Sequence, residues 1–421
     1  MIRTCNDGVM RSGVRVSTGL ALVAGLAACS ASTTAPMTTA TVAPTVSIAA
    51  APPPPLPQTD RDGSAPTAGE ITSTTIETTT TTVAPGPVRL VLTGEVLMHS
   101  PLWAQARTNG GGDTHDFAPM FEHIRPLVEG ADLAVCHLET PIAPPGEAYS
   151  TSPLYGVPAE VVDGIAAAGF DHCSTASNHT FDRGVAGLVA TADRFDQVGI
   201  TQHGMARQPA DAAPVLIDVD GLVIAHFAAT YGFDAGQRPR DEPWRSSLID
   251  AEQIVAEATG ARRRGAEFVV VSLHWGNSNS HRVSERQRTI AEVVAASGQV
   301  DLIVGHHSHL VQPVERVGDM WVAFGLGNLV SNLPVPTGIW TEASRDGAVI
   351  EVTVERNADD TEVAIAPPVV RAVWVDREAG WVVRDVVSAL RDPELNARLG
   401  DQLVTSLRRT TDVMGAAVAQ P

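Results

Sequence analysis

Five short strand-like runs in this chain each break off at a residue able to carry chemistry, and no other feature constrains its fold as strongly. Val88 to Thr93 ends at Gly94-Glu95, Ala131 to Leu138 ends at Glu139, and Phe170 to Thr175 stops just before Asn178-His179. Glu267 to Leu273 ends at His274, and Val300 to Val304 ends at Gly305-His306-His307-Ser308-His309. The mostly apolar run from Val88 reads as a buried strand. Amphipathic segments between the runs predict helices over Phe117 to Val128, Ala159 to Ala168, Arg183 to Val198, Leu248 to Arg264 and Ser284 to Ser297. Asp220-Gly221 within Val215 to Ala229, and Gly318-Asp319 within Val314 to Phe324, predict hairpins. Gly347 to Val375 adds strands, and a helix closes the chain. Alternating strands and helices predict α/β, the hairpins predict mixed sheets, and open α/β sheets build their sites beyond the carboxyl ends of the strands.

The chain opens differently. Met10 to Arg15 carries positive charge, Val16 to Leu26 is apolar, and Leu26-Ala27-Ala28-Cys29 follows. This is the form of a secretory signal, and its end is similar to a bacterial lipobox. That similarity implies cleavage before Cys29 and a lipid on its sulfur; the alternatives are an ordinary cleaved signal or a short anchor. The expected location is the outer face of the cytoplasmic membrane. Residues 30–87, rich in Thr, Ala and Pro, hold too few large apolar side chains to fold and read as a spacer. The folded part is expected over 88–332, with 333–421 completing the same domain. Of its two cysteines, Cys136 and Cys173, the sequence allows either a disulfide or two buried thiols.

Composition narrows the chemistry. A formal net charge of −19 argues against nucleic acid and anionic membrane surfaces as partners. All 29 basic residues are arginine, which removes a P-loop lysine, a Schiff-base lysine and a Ser-Lys dyad together.

All thirteen histidines fall between His99 and His309. In an extended loop His307 and His309 would point the same way. Together with His274, the Asn178 amide and the Glu95 and Glu139 carboxylates they form a mixed nitrogen and oxygen set. Such a set suits a divalent transition metal, Mn, Fe or Zn, as one ion or as two sharing a carboxylate. Taken singly, each of these residues reads equally well as a turn or a cap; their common position at strand ends is what joins them. His115, His123, His172, His203, His226 and His281 read as structural or solvated.

Leu92 to Met98, Asp132 to Ile142, Ala176 to Gly184, Ser272 to Gly276, Gln287 with Ala291, Gly305 to His309 and Phe324 to Val330 occur in order. This ordered set resembles the CapA-type poly-γ-glutamate capsule proteins, which are similar to calcineurin-like metallophosphatases. The resemblance implies a four-layer α/β/β/α sandwich of two mixed sheets. It places Glu95, Glu139, Asn178, His274, His307 and His309 at ligand positions, and His179, oriented by Asp182, where a leaving group is protonated. The family usually has Asp where Glu95 stands and Asn where His137 stands; His137 is a further candidate nitrogen ligand. It also usually has an acidic and aromatic pair where Asn277-Ser278-Asn279 follows His-Trp-Gly.

Three functions follow from the resemblance: a metal-dependent hydrolase or transferase on an envelope polymer or phosphoester, a non-catalytic assembly or anchoring protein working with capsule-synthesis partners, and a secreted phosphoesterase of nucleotidase type. A polyanionic substrate would need local positive charge, for which Arg238, Arg240, Arg245 and Arg282 are the candidates.

Overall fold

In the computed structural model, which describes residues 86–335, 338–357 and 363–421, both faces of β1 (Val88–Val96) are buried. Leu90 and Leu92 join one apolar layer and Val91 joins another. This two-sided burial sets the layering of the molecule. The chain lays down β2 (Leu133–Leu138), β3 (His172–Ser174) and β4 (Thr201–His203) in parallel beside β1. It then builds a second sheet from β5 (Val215–Val219), β6 (Leu222–Thr230), β7 (Phe268–His274), β8 (Leu302–His306), β9 (Val314–Val317) and β10 (Met320–Ala323). Finally β11 (Asn328–Val330), β12 (Asp346–Arg356), β13 (Val363–Ile365), β14 (Val369–Asp376) and β15 (Val382–Asp385) return to the first sheet.

The first sheet runs β15-β14-β12-β1-β2-β3-β4, with β11 paired to β1 and β13 to β12. The second runs β5-β6-β7-β8-β10-β9. Both are mixed: β12 is antiparallel to β1, and β5 and β9 are antiparallel edge strands on a parallel centre. The sheets share one core, in which Leu90, Leu92 and Val135 meet Ile224, Phe268, Val270 and Leu302.

Helices cover the outer faces. On the first sheet lie α1 (Ser100–Asn109), α2 (Ala118–Phe121), α3 (Arg125–Val128), α4 (Glu160–Ala167) and α5 (Gly184–Val198), with Leu102, Phe121, Ile165 and Phe195 in the apolar layer that Val91 joins. On the second lie α6 (Ala251–Arg263) and α7 (Glu285–Ala296), through Ile254, Ala258 and Val294. The result is the expected α/β/β/α sandwich. After it, α8 (Val386–Arg391) and α9 (Pro393–Met414) pack Val386, Leu399 and Leu403 into the shared core beside β12 and β14.

Local chemistry explains the boundaries. Ser284 caps α7 in a capping box with Gln287, and Asp250 caps α6 by accepting from the Gln253 N–H. The single helix expected over Phe117 to Val128 is instead two one-turn helices. Pro126, near the start of the second, has no N–H to donate to the turn before it. Cys136 and Cys173, left open by the sequence, are disulfide-bonded across β2 and β3. Cys29 and the segment before residue 86 lie outside the described residues. No described helix is long and apolar enough to cross a membrane.

One buried ion pair ties α9 to the sheet. Asp346, fully buried at the start of β12, accepts from Arg409 Nε at 2.5 Å and Nη2 at 2.7 Å. Removing the guanidinium strands a carboxylate in the core, so Arg409→Ala should lower unfolding free energy by about 3 kcal/mol. Adding Asp346→Asn to that variant should recover part of the loss, because it removes the stranded charge. Chemical denaturation of the single and double variants checks both.

Candidate functional site

The carboxyl ends of strands from both sheets converge on one cavity of about 590 Å³. Glu95 is the penultimate residue of β1, Glu139 follows β2 directly, and Asn178 and His179 sit in the turn after β3. His274 ends β7 and His306 ends β8, with His307 and His309 in the loop beyond. Backbones approach closely where these ends meet. A Cβ on Gly94 would come within 2.2 Å of the Gly327 carbonyl oxygen, so only glycine admits the neighbouring loop here.

The loop after β8 is not extended as the sequence suggested. His307 and His309 adopt φ of 84° and 53°, and their rings lie 6.0 Å apart. Glu95 Oε1 accepts from the His307 backbone N–H at 2.5 Å and ties this turned loop to β1. Both rings nevertheless line the cavity.

Glu139 is the centre of the arrangement. It is fully buried, and neither carboxylate oxygen has a hydrogen-bond donor. Three imidazole nitrogens surround its Oε1: His309 Nε2 at 3.8 Å, His274 Nε2 at 3.9 Å and His179 Nε2 at 4.0 Å. Burial, with Glu95 adding to it, pushes the Glu139 carboxyl up to about 8. Glu95, also buried, goes the other way: burial would raise it, but His309 beside it holds it below the usual carboxylate range. His309 Nδ1 lies 2.5 Å from Glu95 Oε2 and 3.1 Å from Asn328 Oδ1. Burial works against charge on His309, yet the Glu95 and Glu139 carboxylates outweigh it and raise the ring to about 10.

These residues fit a divalent metal. Donor atoms of Glu95, Glu139 and His309 lie within 4.8 Å of one another, and a cation would satisfy the orphaned Glu139 oxygens. Beside them His274 Nε2 donates to Asn178 Oδ1 at 2.7 Å, a hydrogen bond that a metal taking both atoms would replace. His137, a candidate extra ligand from sequence, has both nitrogens engaged. Its Nε2 lies 3.1 Å from His274 Nδ1 and its Nδ1 lies 2.7 Å from Ser174 Oγ. It therefore orients His274 rather than facing the cavity.

His179 stands at the edge of this set. Its Nδ1 contacts Asp182 Oδ2 at 2.8 Å, and Asp182 is fixed in turn by the Tyr155 backbone N–H at 2.8 Å. Burial would lower the His179 ring, but Asp182, Glu139 and Asp234 outweigh it and raise its pKa.

The sequence missed Asp234 and Asn328 as members of the site. Asp234 Oδ2 accepts from the Asn178 amide at 2.8 Å and its Oδ1 from the Tyr231 hydroxyl at 2.8 Å. Asn328 lay in a quoted motif, but only its contact with His309 shows what it does. The candidate arginines lie elsewhere. None of them lines the cavity. Arg238 donates to the Pro243 and Ser246 carbonyls, and Arg245 donates to Glu242 and stacks on Trp244. Arg240 is exposed. His172, His203 and His226 are buried among partners of their own, as their structural reading required.

The family model for bacterial capsule synthesis protein PGA_cap matches residues 89–333. The chain is 25% identical over 246 residues to the capsule biosynthesis protein CapA of Bacillus anthracis, covering 56% of this chain and 58% of that protein. It is 24% identical over 288 residues to the PGA biosynthesis protein CapA of Bacillus subtilis strain 168, covering 63% of this chain and 74% of that one. It thus spans less than two thirds of the first relative's length. Among solved structures, the calcineurin-like phosphoesterase YfkN from Bacillus subtilis aligns at 13% identity and a TM-score of 0.41, over 77% of this chain and 98% of that one. A score of that size has no bearing on the chemistry of the site.

Metal loading must displace the protons that Glu139 and His309 hold in the metal-free protein. Affinity for Mn²⁺ or Zn²⁺ should therefore strengthen as pH rises through about 8, where Glu139 loses its proton, and on towards about 10, where His309 does. Bound metal should raise the melting temperature by mass action, and His309→Ala and His274→Ala should each weaken binding at least about tenfold. Elemental analysis and thermal melts across pH check this; identical metal content in wild type and both variants would mean that the cluster is structural.

Proposed function

The chain belongs to the PGA_cap family of bacterial capsule synthesis proteins, and from that premise we propose that it acts in building poly-γ-glutamate capsule or a related envelope polymer through a metal-dependent, hydrolase-type site. The observation that carries this reading is Glu139, buried without a donor and ringed by the Nε2 atoms of His179, His274 and His309. Glu95, Glu139, His309, His274 and Asn178 would hold the metal, with His307 beside them. A bound divalent ion would polarise the reacting oxygen and lower the pKa of water at that centre.

The chain's own residues supply the rest. Asp182 holds the His179 ring by Nδ1, so Nε2 faces the cavity. Asp182, Glu139 and Asp234 raise the His179 pKa and so favour its charged form, which could pass a proton from Nε2 to a departing oxygen once that nitrogen leaves its 3.2 Å contact with the Asn178 amide nitrogen. Asp234 and Tyr231 hold the Asn178 amide group so that its oxygen stays turned to His274. His137 and Ser174 do the same for the His274 ring.

His179→Ala should cut turnover of a phosphodiester probe by about 10²–10⁴-fold while metal content is largely kept. Equal turnover in the variant would remove general-acid catalysis from this reading. Full rescue of a capsule-deficient deletion strain by the same variant would favour a non-catalytic role in assembly.

We further propose export, with the folded part carried outside the cytoplasmic membrane on a lipid at Cys29. The buried Cys136–Cys173 disulfide supports an oxidising compartment. Cys29→Ala should abolish palmitate labelling and shift the protein from the membrane fraction to the soluble one; unchanged labelling would overturn the lipid anchor.

A further inference from the structure

The cavity lined by Glu139, Asn178, His307 and His309, with Glu95 and His274 buried outside its lining, changes character towards its mouth. Glu139, His179, His307 and His309 form its polar part. Beside them, Leu97, Tyr155, Leu333, Val335 and Trp340 pack into one apolar cluster that also lines the cavity. Trp340 sets its ring edge-on to His309 at 5.2 Å, so this apolar wall begins at the ligands themselves. At the rim Ile339 is 66% exposed, a large aliphatic side chain left in water.

Away from His179 and His309, the described residues of the same walls carry no positive side chain. No arginine is among the described residues that line the cavity, and the chain has no lysine. The nearby arginines are committed elsewhere. Arg377 donates to the Pro334 carbonyl and to Asn332 Oδ1, and Arg183 donates to the Ala148 carbonyl, Ser150 Oγ and Glu147. The formal charge at the rim is that of Asp234, which is exposed and negative. A polyanionic chain laid along these walls would find no counter-charge beyond the metal centre and His179 beside it. An uncharged apolar group would instead displace water from Val335, Ile339 and Trp340, a gain that scales with the area covered.

Resting on the metal-centred reading above, we propose that the cavity takes a phosphoester whose non-reacting part is uncharged and apolar over several carbons. The anionic group sits at the metal ligands and the apolar part lies along the wall from Trp340 to Ile339. An extended polyglutamate segment is excluded from that wall.

Binding of non-hydrolysable probes tests this without requiring turnover. The full purified protein, loaded with Mn²⁺, is titrated calorimetrically with methyl-, butyl- and hexylphosphonate. Dissociation constants should fall with chain length by roughly threefold per methylene until the wall is covered. Ile339→Asp should reduce that gain per methylene, and oligo-γ-glutamate should fail to displace hexylphosphonate. Equal affinity for all three phosphonates, or ready displacement by oligo-γ-glutamate, would overturn this inference while leaving the metal-centred reading intact. Failure of the manganese-loaded protein to bind even methylphosphonate would overturn both.

Discussion

Two carboxylates, Glu95 and Glu139, are buried side by side at the meeting point of the strands, and much of the local structure answers that constraint. Like charges that close, out of reach of water, cannot both persist without positive charge nearby. The protein divides the burden unequally. Glu95 accepts the His307 N–H and has the His309 ring against it, which favours its charge, whereas Glu139 has no donor and is pushed towards its protonated form. A centre tuned this way is poised for a cation, because a cation removes the conflict that the fold itself creates.

The layered architecture makes that crowding attainable. Parallel strands β1 to β3 in one sheet and β7 and β8 in the other point their carboxyl ends to the same side, so five separate stretches of chain meet over a short distance. Glycine closes the remaining gaps. At Gly305 a Cβ would lie within 1.9 Å of the Phe324 carbonyl oxygen, as one at Gly94 would crowd Gly327. The groups that orient the ligands come from both sheets as well: Ser174 and His137 from the first, Tyr231 and Asp234 from the turn after β6.

What the sequence revealed of this site follows from its geometry. Glu95, Glu139, His274, His307 and His309 were legible because each sits at or just past a strand end, and strand ends can be read from local pattern. Asp234 was not, because its partner Asn178 lies 56 residues away and no pattern joins the two. Sequence also cannot show how a guanidinium is used. Arg238 and Arg245 looked available for an anionic substrate, but their own loop already satisfies them. The loop from Gly305 to His309 brings His307 and His309 to the cavity on a left-handed rather than an extended backbone, and its contact with Glu95, far away in the chain, leaves no local pattern to read. The division of the expected Phe117 to Val128 helix, by contrast, was written in Pro126.

The bond between Cys136 and Cys173 acts as a ruler for the same site. In the parallel ladder of β2 and β3, the pair after those two cysteines is His137 opposite Ser174. Side chains alternate along a strand, so a slip of one residue between β2 and β3 would part His137 from Ser174, the hydroxyl that holds its Nδ1. The two sulfurs meet in the native phase of the ladder, and a slipped pairing would carry them apart. Oxidation at this position thus proofreads the sheet: a chain that closes the disulfide has also aligned the imidazole that steadies its metal-facing histidine.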